Sequence, residues 1–168
     1  MPDPNVIVLG VVPRQPDHVL LQAAVFARAF DAVLVCASVD PSRYFVERLS
    51  DGRFTTMPVD PEISDLRVET FSESLRDRIG SLLEPTGVRW SVHPLVGDPT
   101  HELIALADRL DASMIIVGAR SPGFRGTVQE FFTGSVAAHL AHRQHRPLVV
   151  IPNPAASPKS KLPWEGGA

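Results

Sequence analysis

Apolar residues along this chain fall into short runs apolar at consecutive positions and longer runs apolar every third or fourth position, and the two alternate. The first kind comprises Asn5–Val12 (NVIVLGVV), Ala32–Val39 (AVLVCASV), Val88–Val96 (VRWSVHPLV), Ala112–Ala119 (ASMIIVGA) and Arg146–Pro152 (RPLVVIP). Short β-branched runs without polar alternation predict strands covered on both faces, as in parallel sheets. The second kind predicts helices. "HVLLQAAVFARAF" follows the break at Pro13 and Pro16, with Asp17 as its expected N-cap. Residues 63–84 carry Ile63, Val68, Phe71, Leu75, Ile79 and Leu82 at helical spacing and predict one amphipathic helix ending before Pro85 and Gly87. Asp98 and Pro99 form a strong start signal for a third helix, with Leu103, Ile104, Leu106, Ala107 and Leu110 as its apolar stripe. Residues 134–145 predict a fourth.

Strands alternating with helices specify an α/β fold: a three-layer sandwich with a five-stranded parallel sheet and helices on both faces. Ligands of such sheets bind beyond the carboxyl ends of the strands, where strand order reverses. Here those ends lie after Val11, Val39, Val96 and Gly118. One segment breaks the alternation. Residues 40–61 are too long for an ordinary connection. "YFVERL" and "RFTTMPV" flank Asp51-Gly52, a dipeptide suited to tight turns, and predict a β-hairpin insertion beside the ligand edge.

Composition then bounds the function. A chain of 168 residues, 44% hydrophobic and 21% charged, is one domain able to bury roughly two-thirds of its unfolded surface. Residues 1–152 are read as that domain and 153–168, rich in Pro, Ser, Gly and Ala, as a flexible tail. A net charge of −3 argues against nucleic acid as partner. No apolar run reaches the roughly 20 residues of a membrane span, so no membrane association is expected. The single cysteine, Cys36, lies within an apolar run; it excludes an internal disulfide and fits the cytoplasm.

Candidate chemistry concentrates in "VGARSPGFRGTVQEFFTGSV", residues 117–136. Backbone N–H groups that converge without side chains in the way, at a helix start, can cradle a phosphate. Gly118, Gly123, Gly126 and the Gly134-Ser135 pair offer such groups, and Arg120 and Arg125 offer positive charge. Thr127 and Glu130 also fit a capping box, in which case Gly134 is a packing residue where a helix meets the sheet. Residue chemistry alone leaves both open.

The order of elements, "VGDP" before the third helix, "IIVGAR", the glycine loop ending in "GSV" and the closing "RPLVVIP" together resemble the universal stress protein family over residues 5–152. The resemblance implies a homodimer formed through the last strand, 146–152, and a role in stress responses. It also implies ATP binding, with Mg²⁺ accompanying the nucleotide. The expected nucleotide-binding set is Val11, Val12, Val39, Gly118, Ala119, Arg120, Gly123, Arg125, Gly126, Gly134, Ser135 and Val136, with Val11 and Val39 on the adenosine side. Two departures stand out. Nucleotide-binding members of the family carry glycine, two residues, glycine, nine residues, then glycine with serine or threonine; from Gly118 to Gly134 this chain is three residues longer. The aspartate that contacts adenosine after the first strand is matched by Val12. The family contains members that do not bind ATP, so the alternative is a dimeric interaction protein that has lost the nucleotide. The fold is shared with enzymes acting on the α-phosphate of nucleotides, yet no nucleophile–base pair stands in a recognisable context, which leaves at most slow ATP hydrolysis. His139, His142 and His145 lack a nearby carboxylate or cysteine and are better explained by the helix dipole than by a metal.

Overall fold

The computed structural model describes residues 4–119 and 134–152. Five parallel strands form the main sheet: β1 (Asn5–Gly10), β2 (Ala32–Asp40), β6 (Trp90–Val96), β7 (Met114–Gly118) and β8 (Leu148–Ile151). Their spatial order is β6-β2-β1-β7-β8. The chain winds outward from β1 to β6, then crosses back to place β7 on the other side of β1. Strand order therefore reverses between β1 and β7.

The two-sided apolar pattern has its expected cause. Ile7, Leu9, Leu34, Cys36 and Ile116 point to one face and pack under α1 (Asp17–Ala29) and α2 (Glu73–Leu83). Val8, Val35, Ala37, Ile115 and Val117 point to the other, under α3 (Pro99–Arg109) and α4 (Gly134–Arg143). Burial pushes the Cys36 thiol up to about 12, so it remains protonated and packs as a small apolar residue.

Asp98 caps α3 as its sequence signal predicts, its Oδ1 accepting from the His101 N–H at 2.8 Å. Asp98→Ala is expected to cost about 1 kcal/mol, read as a lower urea midpoint with an unchanged slope. Asp17 does something different from the cap predicted for it. It is the first residue of α1, makes no capping bond, and instead pairs with Arg78 of α2.

The expected helix over 63–84 is a second difference. Only Glu73–Leu83 is helical, with Ser72 as N-cap, followed by a short 3₁₀ turn at Glu84–Thr86. Residues 67–68 form a strand, β5, because Val68 and Arg67 pair with Thr55 and Thr56. Ile63 and Leu66 are exposed. The predicted hairpin is present as β3 (Arg43–Arg48) and β4 (Phe54–Pro58), and β5 extends it to a separate three-stranded antiparallel sheet. Its turn closes between Leu49 and Arg53, and Gly52 takes a φ of +87° there.

The insertion is anchored by a buried charge. Arg43, 5% exposed, donates from Nε to Thr56 Oγ1 (2.8 Å) and from Nη1 to Asp65 Oδ2 (3.0 Å). Thr56 Oγ1 in turn donates to Glu69 Oε2 at 3.0 Å.

Candidate functional site

Strand order reverses between β1 and β7, which by the general rule for α/β sheets makes their carboxyl ends, at Gly10 and Gly118, the expected ligand crevice. The Gln15 side chain fills its floor. Gln15 Nε2 donates to the Gly10 carbonyl at 3.3 Å, and a Cβ placed on Gly118 would lie 2.9 Å from that same nitrogen. Any larger residue at 118 must displace the end of Gln15 and press on the Val19 methyls, 3.3 and 3.4 Å from that Cβ. Gln15 is 7% exposed, and its Oε1 is buried without a hydrogen-bond partner among the described residues. An unpaired buried amide oxygen costs about 1–3 kcal/mol.

The loop carrying Gln15 is held from α2. Arg78 donates from Nη1 to the Pro13 carbonyl (3.0 Å), from Nη2 to the Gln15 carbonyl, and from Nε to Asp17 Oδ1 (3.1 Å). Asp17, the acid that follows Val12 in sequence, is thus already paired with Arg78. Beside the crevice, a cavity of about 360 Å³ opens at the ends of β2 and β6, lined by Pro13, Val39, Asp40, Phe71 and Leu95. The insertion supplies one of its walls through Arg67 and Glu69.

The structure brings several expected residues to this edge. Val39 is buried and lines the cavity, and Val12 is half-buried at the start of the loop. Val11 is a core residue whose N–H bonds the Ala37 carbonyl at 2.8 Å, so its side chain points into the first core. Gly118 ends β7, and the Ala119 N–H bonds the Ile151 carbonyl at 2.7 Å. Gly134 and Ser135 open α4, and Val136 is buried in the second core. Arg120, Gly123, Arg125 and Gly126 lie outside the described residues, as do Thr127 and Glu130 of the alternative capping box and the tail from 153. Gln15 and Arg78 were not singled out in the sequence. Their only sign was a polar residue between two prolines and an arginine on the polar side of α2.

At this edge the described residues thus gather Gly118, packed closely on Gln15 and Val19, and the buried Gln15 side chain. The universal stress protein family profile matches residues 5–152. The chain belongs to the universal stress protein family. Universal stress protein MJ0531 of Methanocaldococcus jannaschii is 28% identical over 148 residues, covering 86% of this chain and 81% of that protein. Among solved structures, a universal stress protein in complex with cAMP superposes with a TM-score of 0.56 at 21% identity, covering 88% of this chain and 95% of the other. The Archaeoglobus fulgidus universal stress protein in complex with dAMP gives 0.54 at 19% identity, covering 88% and 97%. These structures share the fold.

Other chemistry finds less support in the geometry. His139 and His142 are exposed on α4, and His145 lies beyond its end. Among the described residues no group of three or more His, Cys, Asp or Glu is placed to hold a metal, and no helix is long and apolar enough to cross a membrane.

Proposed function

We propose that this universal stress protein is a regulatory module that binds an adenine nucleotide across the ends of β1, β2 and β7 and dimerises through β8. The observation that carries the reading is the Gly10–Gly118 crevice with the unpaired Gln15 Oε1 on its floor. A ribose hydroxyl supplies the donor that oxygen lacks. Val39 and Pro13 face the base, and phosphates run toward the start of α4, where unsatisfied N–H groups favour anions. Arg120, Gly123, Arg125 and Gly126 then belong to the phosphate side, and Mg²⁺ accompanies ATP. The complexes of relatives with cAMP and dAMP support the ligand class.

Dimerisation rests on β8. It is an edge strand whose outer side is unpaired in the main sheet, and Val150 on it is 43% exposed. The same reading places the protein in the cytoplasm, in stress responses, with at most slow ATP hydrolysis.

A specific observation favours a second reading, an interaction protein without nucleotide: Val12 stands after β1, and Asp17 is already paired with Arg78. Calorimetric titration with ATP and Mg²⁺, repeated with AMP, separates the two. Micromolar ATP binding that weakens with AMP is expected. Absence of heat, together with an unchanged melting temperature at millimolar ATP, would favour the second reading. Sedimentation equilibrium reads the dimer, and a monomer overturns that half of the proposal.

A further inference from the structure

A second cavity among the described residues lies on the hairpin side of β6. It is a cleft of about 780 Å³ between the tip of the β3–β4 hairpin and the β6–α3 corner. Phe45 and Phe54 form its apolar wall on the hairpin, with ring centroids 6.0 Å apart and planes tilted by 36°. Val92, Pro94 and Leu95 of β6 form the opposite wall.

Arg48, Arg53 and Arg109 line the cleft with Asp51, Glu69 and Glu102, and their pairing is uneven. Arg48 donates to the Gly52 carbonyl at 3.0 Å, and neither it nor Arg109 has a carboxylate partner among the described residues. Two of the three acids that also line the cleft, Asp51 and Glu69, are held by arginines. Asp51 pairs with Arg53 at 2.6 Å, and that neighbour lowers its pKa. Glu69 accepts from Thr56 and lies within 4 Å of Arg43 and Arg67, and Glu102 contacts His101 Nδ1 at 3.0 Å. His93 is half-buried; burial first, and Arg109 second, hold its pKa below the usual imidazole range. It remains neutral at pH 7 and offers a ring nitrogen rather than a charge.

The shape also says which occupant fits. Arg89 and Gly97 both bond β2 through their backbones, so in the parallel ladder the even-numbered residues of β6 turn their N–H and C=O groups to the free edge. Pro94 is one of these and has no N–H. An added peptide strand would meet a missing donor at the middle of the edge.

We propose that this cleft binds a small organic anion with a flat apolar body: the body between Phe45, Phe54 and Pro94, the anionic head between Arg48 and Arg109. The site adjoins the cavity at the ends of β2 and β6, sharing Glu69, Pro94 and Leu95 with it, but does not depend on the nucleotide reading.

Titration of the full chain with 2-naphthoate, followed by saturation-transfer NMR and calorimetry, tests it, with 2-naphthol as the uncharged control. Naphthoate is expected to bind at sub-millimolar concentration and 2-naphthol much more weakly. Arg48→Gln and Arg109→Gln, both at exposed positions that leave the fold intact, are each expected to weaken naphthoate by about tenfold, the scale of one charge-assisted hydrogen bond, without changing 2-naphthol. Binding is expected to persist in Gly118→Val. Equal affinity for naphthoate and 2-naphthol, or indifference to both arginine substitutions, would overturn the proposal. Loss of binding in Gly118→Val with the arginine variants unchanged would overturn it too, by placing the ligand in the crevice.

Discussion

Exchange of Gly118 for valine is expected to abolish nucleotide binding while the five-stranded sheet stays folded. A Cβ at this position meets Gln15 Nε2 at 2.9 Å and the Val19 methyls at 3.3 and 3.4 Å, before the two valine methyls are added. The end of a glutamine side chain can swing aside, but Val19 is fully buried in α1 and cannot. Overpacking of this kind costs about 1–3 kcal/mol, against about 5–15 kcal/mol for a domain of ordinary stability. The protein therefore folds, with the crevice filled. Circular dichroism and melting report the fold; ATP calorimetry reports the site. Retained ATP affinity in a folded Gly118→Val protein would show that the nucleotide does not enter between β1 and β7.

A companion substitution separates filling the crevice from losing its acceptor. Gln15→Leu keeps similar bulk and removes both the unpaired Oε1 and the bond from Nε2 to the Gly10 carbonyl. The two losses oppose each other, so stability is expected to change by no more than about 1 kcal/mol. Nucleotide affinity is expected to fall by about tenfold, because the ribose donor then has no acceptor. Unchanged affinity would remove Gln15 from the site without touching the argument about Gly118.

How far these elements could be read from the chain follows from what each depends on. β1, β2 and β7 were legible because alternate residues such as Ile7 and Val8 face two separate cores, which demands apolar side chains at both parities. Asp98-Pro99 and Asp51-Gly52 were legible because capping and turning are local. The stretch before α2 was not. Ile63, Val68 and Phe71 keep helical spacing, yet the backbone of Val68 is claimed by Thr55 of a neighbouring strand, and spacing carries no record of a distant partner. Asp17 failed as a cap for the same reason, since Arg78 reaches it from α2. The crevice was half legible. Gly118 announced itself as a glycine ending an apolar run. Gln15 did not, because its role arises only when β7 is laid beside β1.

Arg43→Met is expected to destabilise the insertion by about 3–5 kcal/mol, the scale seen when one partner of a buried ion pair is removed. The substitution removes the donor to the Thr56 carbonyl and to the half-exposed Asp65, and leaves Glu69, its side chain only 9% exposed, with Arg67 at 3.7 Å as its remaining cation. The insertion has little else to resist this loss. Tyr44, Phe45 and Val46 are all more than 40% exposed, so β3 buries little apolar surface of its own. Local detachment is thus favoured over global unfolding. Hydrogen exchange is expected to lose protection across 43–69 while β1, β2 and β7 keep theirs. Simultaneous loss in both sheets would show that the insertion is integral to the domain, and unchanged protection would show that Arg43 does not hold it. Lysine is not expected to rescue, because its single ammonium cannot reproduce the guanidinium fork that reaches Thr56 and Asp65 together. The functional consequence follows from Glu69, which lines both cavities. An insertion released from Arg43 no longer walls either one, so Arg43→Met is expected to weaken ATP and naphthoate together, whereas substitutions at Gly118 or Arg109 weaken only one.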